Sequence, residues 1–301
     1  MKVDLPLLVV IGGPTGIGKT EAAIRVASKY STEIVSADSR QVYMELNIGV
    51  ARPDEDQLNA VPHHLIAHRS IKDEYSAGHY EEEALSVLDK LFEKHDRVIA
   101  SGGTGLYLKA LTEGLDKFPK VSRQKWTSVF NSEGLSFLQE ALRELDPDYY
   151  RSVDIQNPHR LIRALSVIEE TGLPFSSFLG RSENTRPFNT IKLALTRDRD
   201  ELYERINQRV DEMMSEGLLD EVRRLLPYRH LSALQTVGYQ ELFEYLDGLY
   251  TLNEAVEKIK QHTRNYAKRQ MTWFRNQGEW TKVHPENVLE YVYQLTEKKN
   301  E

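Results

Sequence analysis

The stretch that decides the fold is Leu7-Leu-Val-Val-Ile-Gly-Gly-Pro-Thr-Gly-Ile-Gly-Lys-Thr20. Its first five residues are apolar and rich in β-branched side chains, which is typical of a buried parallel strand. The segment from Gly13 to Thr20 fits the pattern G-x-x-x-x-G-K-[ST], and helical apolar spacing follows it. A glycine loop between a strand and a helix presents backbone N–H groups to an anion. The stretch therefore predicts a phosphate-binding loop, as found in nucleotide-binding and ATP-binding α/β proteins.

The loop offers two further groups to a bound phosphate besides its backbone amides. Lys19 supplies a mobile positive charge, and the hydroxyl of Thr20 can bind a magnesium ion, so Mg2+ is the expected cofactor. The pattern indicates a diphosphate or triphosphate group but does not identify the molecule that carries it. The residues predicted from this pattern to bind the phosphate are Gly13, Gly16, Gly18, Lys19 and Thr20.

Strand and helix patterns alternate along most of the remaining chain. Apolar runs predict further strands at residues 33–37, 65–66, 97–101 and 191–195. Helical spacing of apolar residues recurs at 81–95, at 200–226 with a break near Gly217, and at 252–277. This alternation predicts an α/β fold in which a P-loop parallel sheet core is flanked by helices.

The pattern changes near residue 120 and changes back near residue 187. Between these points the apolar spacing is mostly helical, and no convincing strand is present. Proline-containing segments, Phe118-Pro-Lys120 and Arg186-Pro187, border this part of the chain. We predict a P-loop core domain formed by residues 1–119 and 188–301, with a mainly helical insertion domain at 120–187.

Composition excludes several classes of protein. The 301 residues include no cysteine, which rules out a disulfide framework, a Cys-ligated zinc site and a thiol nucleophile. The first residues lack the cleavage region of a signal peptide, and no segment is apolar for long enough to span a bilayer. We therefore expect a cytoplasmic monomer without a membrane partner. The net charge of −7, taken alone, argues against a nucleic-acid partner.

The distribution of charge weakens that argument. Between residues 258 and 278 the chain has no acid. The basic residues of this segment are Lys258, Lys260, Arg264, Lys268, Arg269 and Arg275. Such a helix face can contact the phosphates of RNA, although a solvated surface is the alternative. Trp273 and Phe274 could stack on a base, but their place in an amphipathic helix favours a core position.

One feature argues against an ordinary ATPase. Most P-loop enzymes hold magnesium partly through an acid at the end of a later strand. Here the strand at 97–101 is followed by Gly102-Gly103 and carries no acid at that end. The phosphate loop is therefore expected to serve a different reaction.

Several further segments have the order and spacing of one family. They are Asp38-Ser-Arg-Gln-Val-Tyr43, Asn47-Ile-Gly-Val-Ala-Arg-Pro53, Pro62-His-His-Leu65, Tyr75-Ser-Ala77, Gly102-Gly-Thr-Gly-Leu-Tyr-Leu-Lys-Ala-Leu111, Asn157-Pro-His-Arg-Leu161, Val237-Gly-Tyr239, Tyr266-Ala-Lys-Arg-Gln270 and Trp273-Phe-Arg275. Together with the loop they resemble the bacterial tRNA dimethylallyltransferases, also called tRNA isopentenyltransferases. Two departures are Gly16-Ile17 for the family's usual Ala-Ser, and Arg40 for its common Met.

The resemblance implies transfer of a dimethylallyl group from dimethylallyl diphosphate to the exocyclic amine of the adenine 3′ of the tRNA anticodon. The enzyme must neutralise the departing diphosphate and accept a proton from the amine. By resemblance, Thr15 and Arg209 join Lys19 at the diphosphate, and Lys19 and Arg209 act in catalysis. Asp38 follows a strand, so it should lie at the carboxyl edge of the sheet, where it is our candidate general base. A turn cap or an outer-shell magnesium partner remains the alternative for Asp38.

The resemblance also implies contacts to the tRNA anticodon stem-loop. The predicted tRNA-binding residues are Asp38, Ser39, Arg40, Gln41, Thr104, Arg160, Arg163, Lys268 and Arg269. The alternative for Thr104 is the N-cap of a helix after Gly102-Gly103. The target adenine is expected to flip out of its loop to reach the site.

Two other functions fit part of the sequence. A P-loop nucleotide or small-molecule kinase would share the loop and the sheet, but it would consume ATP. A nucleotide-switched RNA-binding protein would share the loop and the basic helix, but it would leave the RNA unmodified. The missing acid after residue 101 disfavours the first alternative, and Asp38 disfavours the second.

Overall fold

The computed structural model describes residues 5–180 and 185–297 of the chain. These residues cluster into two compact units, Met1–Glu113 with Arg186–Glu301 and Gly114–Thr185. The insertion domain predicted from the sequence, residues 120–187, has bounds close to those of the second unit, and its exact bounds remain a prediction. The sequence prediction on a signal peptide concerns a segment that includes residues 1–4, which lie outside the described residues. Residues 181–184 of the predicted insertion also lie outside them.

The described residues of the first unit form one parallel sheet. Its strands are β1 (Leu7–Gly12), β2 (Ile34–Ser36), β3 (His63–His64), β4 (Arg97–Gly102), β5 (Asn189–Leu195) and β6 (Thr281–Val283). The order across the sheet is β3-β2-β4-β1-β5-β6, and every pair is parallel. The predicted P-loop α/β fold is thus confirmed. Because the strands are parallel, the loops after β1, β2 and β4 meet at one edge.

Helices account for most of the remaining described residues. They are α1 (Lys19–Lys29), α2 (Glu55–Ala60), α3 (Ala77–Phe92), α4 (Gly105–Glu113), α5 (Gln124–Glu133), α6 (Leu135–Leu145), α7 (Pro147–Ser152), α8 (Pro158–Thr171), α9 (Arg199–Ser215), α10 (Leu218–Leu225), α11 (Tyr239–Leu246), α12 (Leu252–Asn276) and α13 (Val288–Thr296). Helices α5 to α8 belong to the second unit, and the other nine belong to the described part of the first.

The central strand β1 carries apolar residues to both faces of the sheet. Leu8 and Val10 belong to one buried cluster, whereas Val9 and Ile11 belong to another. Alternation along a strand sends successive side chains to opposite faces. Both faces of the sheet are therefore covered, which explains why the run before the loop is continuously apolar.

Most predicted bounds lie within two residues of the observed ones, and two elements are displaced. The strand predicted at 65–66 is wrong: the strand is His63–His64, and Leu65 has a left-handed φ of 60° that ends it. The helix predicted at 81–95 begins earlier, at Ala77, because the Ser76 hydroxyl accepts a hydrogen bond from the backbone N–H of His79. Both differences arise at element ends, where local hydrogen bonds decide the boundary.

The second unit has its own core. The buried residues of this core lie in α6, α8 and the turn at Phe175–Phe178, with Leu138, Leu142 and Leu165 fully buried. Asp146 is buried and accepts hydrogen bonds from the backbone N–H of Tyr149 and from the N–H and hydroxyl of Ser176. These contacts tie α7 to the Phe175–Phe178 turn within the unit.

Candidate active site

The phosphate loop connects β1 directly to α1. Gly18 occupies the N-cap position of α1 with a left-handed φ of 101°, a conformation that favours glycine. Gly16 has a φ of 78°, and a Cβ built there would lie 2.9 Å from Cγ1 of Ile206. The glycine at this departure from the family's usual loop thus suits both the backbone and the packing.

A cavity of about 970 Å3 opens beside this loop within the first unit. Eleven of the residues that we predicted to bind the substrates or to act in catalysis line this cavity. They are Thr15, Gly16, Gly18, Lys19, Thr20, Asp38, Ser39, Arg40, Gln41, Arg209 and Arg269. Elements far apart in sequence thus bring the phosphate loop, the Asp38 segment, α9 and α12 to one place.

The remaining predicted residues lie elsewhere. Gly13, Thr104 and Lys268 do not line the cavity, and Arg160 and Arg163 belong to the second unit. The Thr104 side chain contacts the Asp38 segment instead: its Oγ1 accepts from the Ser39 N–H at 2.9 Å and lies 3.2 Å from Ser39 Oγ. Thr104 therefore connects the loop after β4 to the loop after β2.

Asp38 makes its turn contacts through one carboxylate oxygen. Its Oδ1 accepts hydrogen bonds from the N–H groups of Arg40 at 2.9 Å and Gln41 at 3.3 Å. Within the described residues, Oδ2 accepts no hydrogen bond that the structure records. One oxygen therefore caps the turn and fixes the side chain, while the other makes no contact with the turn. The turn-cap role and the general-base role do not exclude each other.

Two cations face the same cavity as Asp38. Desolvation lowers the pKa of Lys19 to about 8, while the charge of Asp38 opposes this change and Arg209 adds to it. Desolvation also lowers the pKa of Arg209, against the charges of Glu212 and Asp38. The Lys19 ammonium donates to the carbonyl of Pro14 at 2.8 Å. Cations that are poorly solvated attract an anion more strongly than exposed ones do.

Gln270 holds the phosphate loop in place, and the sequence analysis did not assign it a role. It is buried, its Oε1 accepts from the N–H of Thr15 at 2.9 Å, and its Nε2 donates to the carbonyl of Gly103 at 2.9 Å. The side chain thus joins α12 to the loops after β1 and β4. Because this amide engages the Thr15 N–H, that N–H is not free to bind a phosphate. The sequence signal that could have identified Gln270 was its position at the end of the family motif Tyr266-Ala-Lys-Arg-Gln270.

A buried carboxylate, Glu221, joins two segments that line the cavity. Glu221 accepts from the N–H groups of Ile48 at 2.9 Å and Gly49 at 3.1 Å, and from the hydroxyl of Tyr239 at 2.6 Å. Desolvation and the Glu221 charge raise the pKa of Tyr239, so its hydroxyl remains a donor. The segments Asn47-Ile-Gly and Val237-Gly-Tyr239, which we noted only as motifs, therefore meet through Glu221.

The basic face predicted on α12 is smaller than the sequence indicated. Lys260 forms ion pairs with Asp211 of α9 at 2.8 Å and with Glu257 at 3.1 Å, and Arg264 is hydrogen-bonded to Asn207 of α9. The prediction considered acids only from residue 258 to residue 278, so it missed Glu257 on the same helix and Asp211 on the helix packed against it. Lys268 and Arg269 are exposed.

The aromatic residues of α12 have separate positions. Phe274 is buried, and its ring centroid lies 4.9 Å from those of Trp273 and Trp280, which confirms the core position predicted for this pair. Tyr266 instead lines the cavity and is 37% exposed, with the guanidinium of Arg269 5.5 Å from its ring centroid.

The second unit presents two arginines on α8. Arg160 and Arg163 are exposed, and the Arg163 guanidinium lies 4.8 Å from the ring centroid of Phe118. Desolvation, with Arg123 as a second cause, lowers the pKa of Arg163. The ring fixes the position of this guanidinium on the surface of the unit.

The parallel sheet, the glycine loop at the centre of its carboxyl edge and the adjoining charged cavity define an α/β protein of the P-loop class. The model of the IPP transferase family matches residues 41–277, which is more than half of the chain. The chain belongs to this family of prenyltransferase enzymes.

Relatives and solved structures agree with this assignment. The tRNA dimethylallyltransferase 1 of Bacteroides thetaiotaomicron is 51% identical, with 96% of each chain covered. The tRNA dimethylallyltransferase of Christiangramia forsetii is 49% identical, with 95% of this chain and 97% of the relative covered. The structure of a tRNA isopentenylpyrophosphate transferase from Bacillus halodurans has a TM-score of 0.73, 33% identity and coverage of 98% and 97%. A eukaryotic dimethylallyltransferase acting on tRNA has a TM-score of 0.80 at 25% identity, covering 98% of this chain and 77% of that one.

Proposed function

We propose that this chain transfers a dimethylallyl group from dimethylallyl diphosphate to the exocyclic amine of the adenine 3′ of a tRNA anticodon, with release of diphosphate. The observation that carries the proposal is the free carboxylate oxygen of Asp38 in the same cavity as Lys19 and Arg209. A base and a diphosphate site in one cavity suit the attack of an amine on an allylic diphosphate. The names of the relatives support the same reaction and favour it over a kinase.

The donor diphosphate lies at the phosphate loop in this proposal. The Lys19 ammonium, the Arg209 guanidinium and the first N–H groups of α1 stabilise the charge that develops as the bond from carbon to diphosphate oxygen breaks. Apolar side chains of α9 that line the cavity, Ile206, Val210 and Met213, are suited to the dimethylallyl chain. Thr15, Gly16 and Gly18 complete the proposed diphosphate site, and Gly13 supports the turn from outside the cavity.

Asp38 accepts the proton that the adenine amine loses. The nitrogen forms a bond to the terminal carbon of the allylic group, the carbon–oxygen bond to diphosphate breaks, and Asp38 Oδ2 takes the proton. The contacts of Oδ1 with the Arg40 and Gln41 amides keep the carboxylate oriented during this step. Removal of a well-placed general base reduces rates by about 10²- to 10⁴-fold.

Magnesium fits the oxygen donors of this cavity. The hydroxyl of Thr20, in the first turn of α1, and the carboxylate of Asp38 line it together. Mg2+ prefers such hard oxygen ligands, completed by substrate phosphate oxygens and water. We propose Thr20 as its protein ligand, and the bound ion would neutralise charge on the departing diphosphate.

The tRNA anticodon stem-loop contacts both units in this proposal. Ser39, Arg40, Gln41 and Arg269 line the cavity and would contact nucleotides near the target adenine. Arg160, Arg163 and Lys268 are the proposed phosphate contacts. Thr104 acts through Ser39, to which it is hydrogen-bonded. Cationic side chains on phosphates position RNA without reading its sequence.

The test is a transfer assay with unmodified tRNA that carries adenine 3′ of its anticodon, dimethylallyl diphosphate and magnesium. Nucleosides from the digested RNA are measured by mass spectrometry. We expect a dimethylallyl mass gain on that adenosine, and Asp38→Asn should lower kcat by about 10²- to 10⁴-fold while leaving the donor KM nearly unchanged. The asparagine retains the turn contacts of Oδ1 but is not a base.

Asp73→Asn is the matched control. Asp73 also accepts a hydrogen bond from a local backbone N–H, that of Ser70 at 2.9 Å, but it lies outside the cavity. This variant should keep wild-type activity. No mass gain with folded wild-type protein would refute the transferase proposal. Equal rates for Asp38→Asn and wild type would remove Asp38 from the role of base.

A cytoplasmic monomer remains our prediction from the sequence. Among the described residues, no helix combines the length and apolarity needed to cross a membrane. Gel filtration with light scattering measures the oligomeric state directly.

A further inference from the structure

The proposed reaction requires the target adenine to enter the cavity and lie against Asp38. A base that leaves its stack loses the contacts of both ring faces, and proteins that accept such a base usually replace them with an aromatic or apolar side chain. The site should therefore contain a surface for one face of the adenine, close to Asp38 and apart from the diphosphate. The inference that follows rests on the proposed function.

Tyr266 is the only aromatic residue among the described residues that line the cavity. It lies on the face of α12 that also carries Thr263 and Gln270, three residues before it and four after it, and all three line the cavity. The residue is 37% exposed, whereas Trp273 and Phe274 of the same helix pack with Trp280. An aromatic ring that lines the same cavity as the proposed base is available to a substrate.

Charged groups of the cavity act on the phenol of Tyr266. Desolvation, followed by the negative charge of Asp38, raises the pKa of Tyr266 to about 12, while Arg40 and Arg269 oppose this change. The phenol therefore stays protonated at neutral pH and does not compete with Asp38 as a base. Asp38 and Tyr266 line the same cavity.

We propose that the ring of Tyr266 is the stacking surface for the flipped adenine, and that it positions the exocyclic amine at Asp38. The guanidinium of Arg269 lies 5.5 Å from the ring centroid and holds the ring by a cation–π contact. A second cation on this ring, such as the allylic group in the transition state, would be repelled by Arg269. A neutral base is not repelled, so the adenine is the occupant that this arrangement favours.

The first test separates stacking from chemistry. An anticodon stem-loop carries 2-aminopurine in place of the target adenine; this base lacks the reacting amine, and its fluorescence is quenched when it stacks. On binding to wild type and to Tyr266→Phe the signal should remain quenched. On binding to Tyr266→Leu, which keeps apolar volume but has no ring, the signal should rise severalfold.

The second test is steady-state kinetics with the natural tRNA. Loss of one base stack costs about 1–3 kcal/mol, so Tyr266→Leu should raise the tRNA KM roughly 5- to 150-fold. The donor KM should change by less than about twofold, and Tyr266→Phe should restore the tRNA KM because it restores the ring. Tyr293→Leu is the matched control, since Tyr293 is 47% exposed on α13 and lies outside the cavity.

The outcomes are distinct. An unchanged tRNA KM and a quenched reporter in Tyr266→Leu overturn the proposal. A lower kcat with an unchanged tRNA KM and reporter also overturns it, and assigns the ring to the dimethylallyl group. If Tyr266→Leu does not fold, as judged by its thermal unfolding, Tyr266→Gln replaces it. The reporter needs only RNA binding, so a wild-type enzyme that forms no product refutes the proposed function without deciding the stacking test.

Discussion

Lys19 shows how burial sets the charge of a single functional residue. Its pKa of about 8 lies below the ordinary value of 10.5, chiefly because the ammonium is poorly solvated. Below pH 8 the side chain is charged, as its proposed role at the donor diphosphate requires. Above pH 8 it loses its proton, so the affinity for the donor should fall as the pH rises through this value.

We expect the dissociation constant of an unreactive allylic diphosphate analogue to increase by up to about tenfold per pH unit above pH 8. Isothermal titration between pH 6.5 and 9.5 measures this directly. Lys19→Arg is the matched variant, because an arginine stays charged throughout this pH range. The affinity of this variant for the analogue should therefore remain nearly constant. The same slope in both proteins would show that another group, such as the ligand itself, is responsible.

At the scale of elements, α12 links the proposed sites of the two substrates. Its residues Tyr266 and Arg269 line the cavity, while Gln270 binds the loops that follow β1 and β4. The two hydrogen bonds of Gln270 span 255 and 167 residues of sequence. A shift of α12 would therefore move the phosphate loop and the proposed adenine surface together.

Gln270→Leu should weaken donor binding more than tRNA binding. It leaves the Thr15 N–H and the Gly103 carbonyl without their partner, at a cost of about 1–3 kcal/mol for each buried group. We expect a donor KM raised roughly tenfold and a thermal midpoint lowered by several degrees. Gln294→Leu removes an exposed glutamine of α13 and should change neither quantity. An unaltered donor KM in Gln270→Leu would mean that the loop holds its shape without this contact.

At the scale of the whole molecule, the described residues divide into two units with separate cores. The apolar cluster of the second unit draws only on residues between Phe118 and Phe178, and the two clusters of the first unit include none of them. A unit that buries its own apolar side chains can fold alone. This separation is consistent with an insertion that entered the chain between α4 and β5.

We therefore expect residues 114–185, expressed alone, to be helical and to unfold cooperatively. Circular dichroism at 222 nm during heating measures both properties. Substitution of the fully buried Leu165 by alanine should lower the stability of this fragment by about 2–5 kcal/mol, whereas substitution of the exposed Leu173 should change it little. A broad transition, or no helical signal, would show that the unit depends on the rest of the chain.

The sequence by itself determined the phosphate loop, the strand and helix beside it and the P-loop α/β class, because these depend on contacts between near neighbours in the chain. It also identified the residues from Asp38 to Gln41 as candidates, since strand ends and family motifs are local patterns. Only the tertiary structure decided which side chains meet across long separations. It joined Gln270 to Thr15, paired Lys260 with Asp211, and directed Tyr266, rather than Trp273 or Phe274, into the cavity. Periodicity shows that a helix has faces, but the neighbour that each face meets is set by the packing of the whole fold.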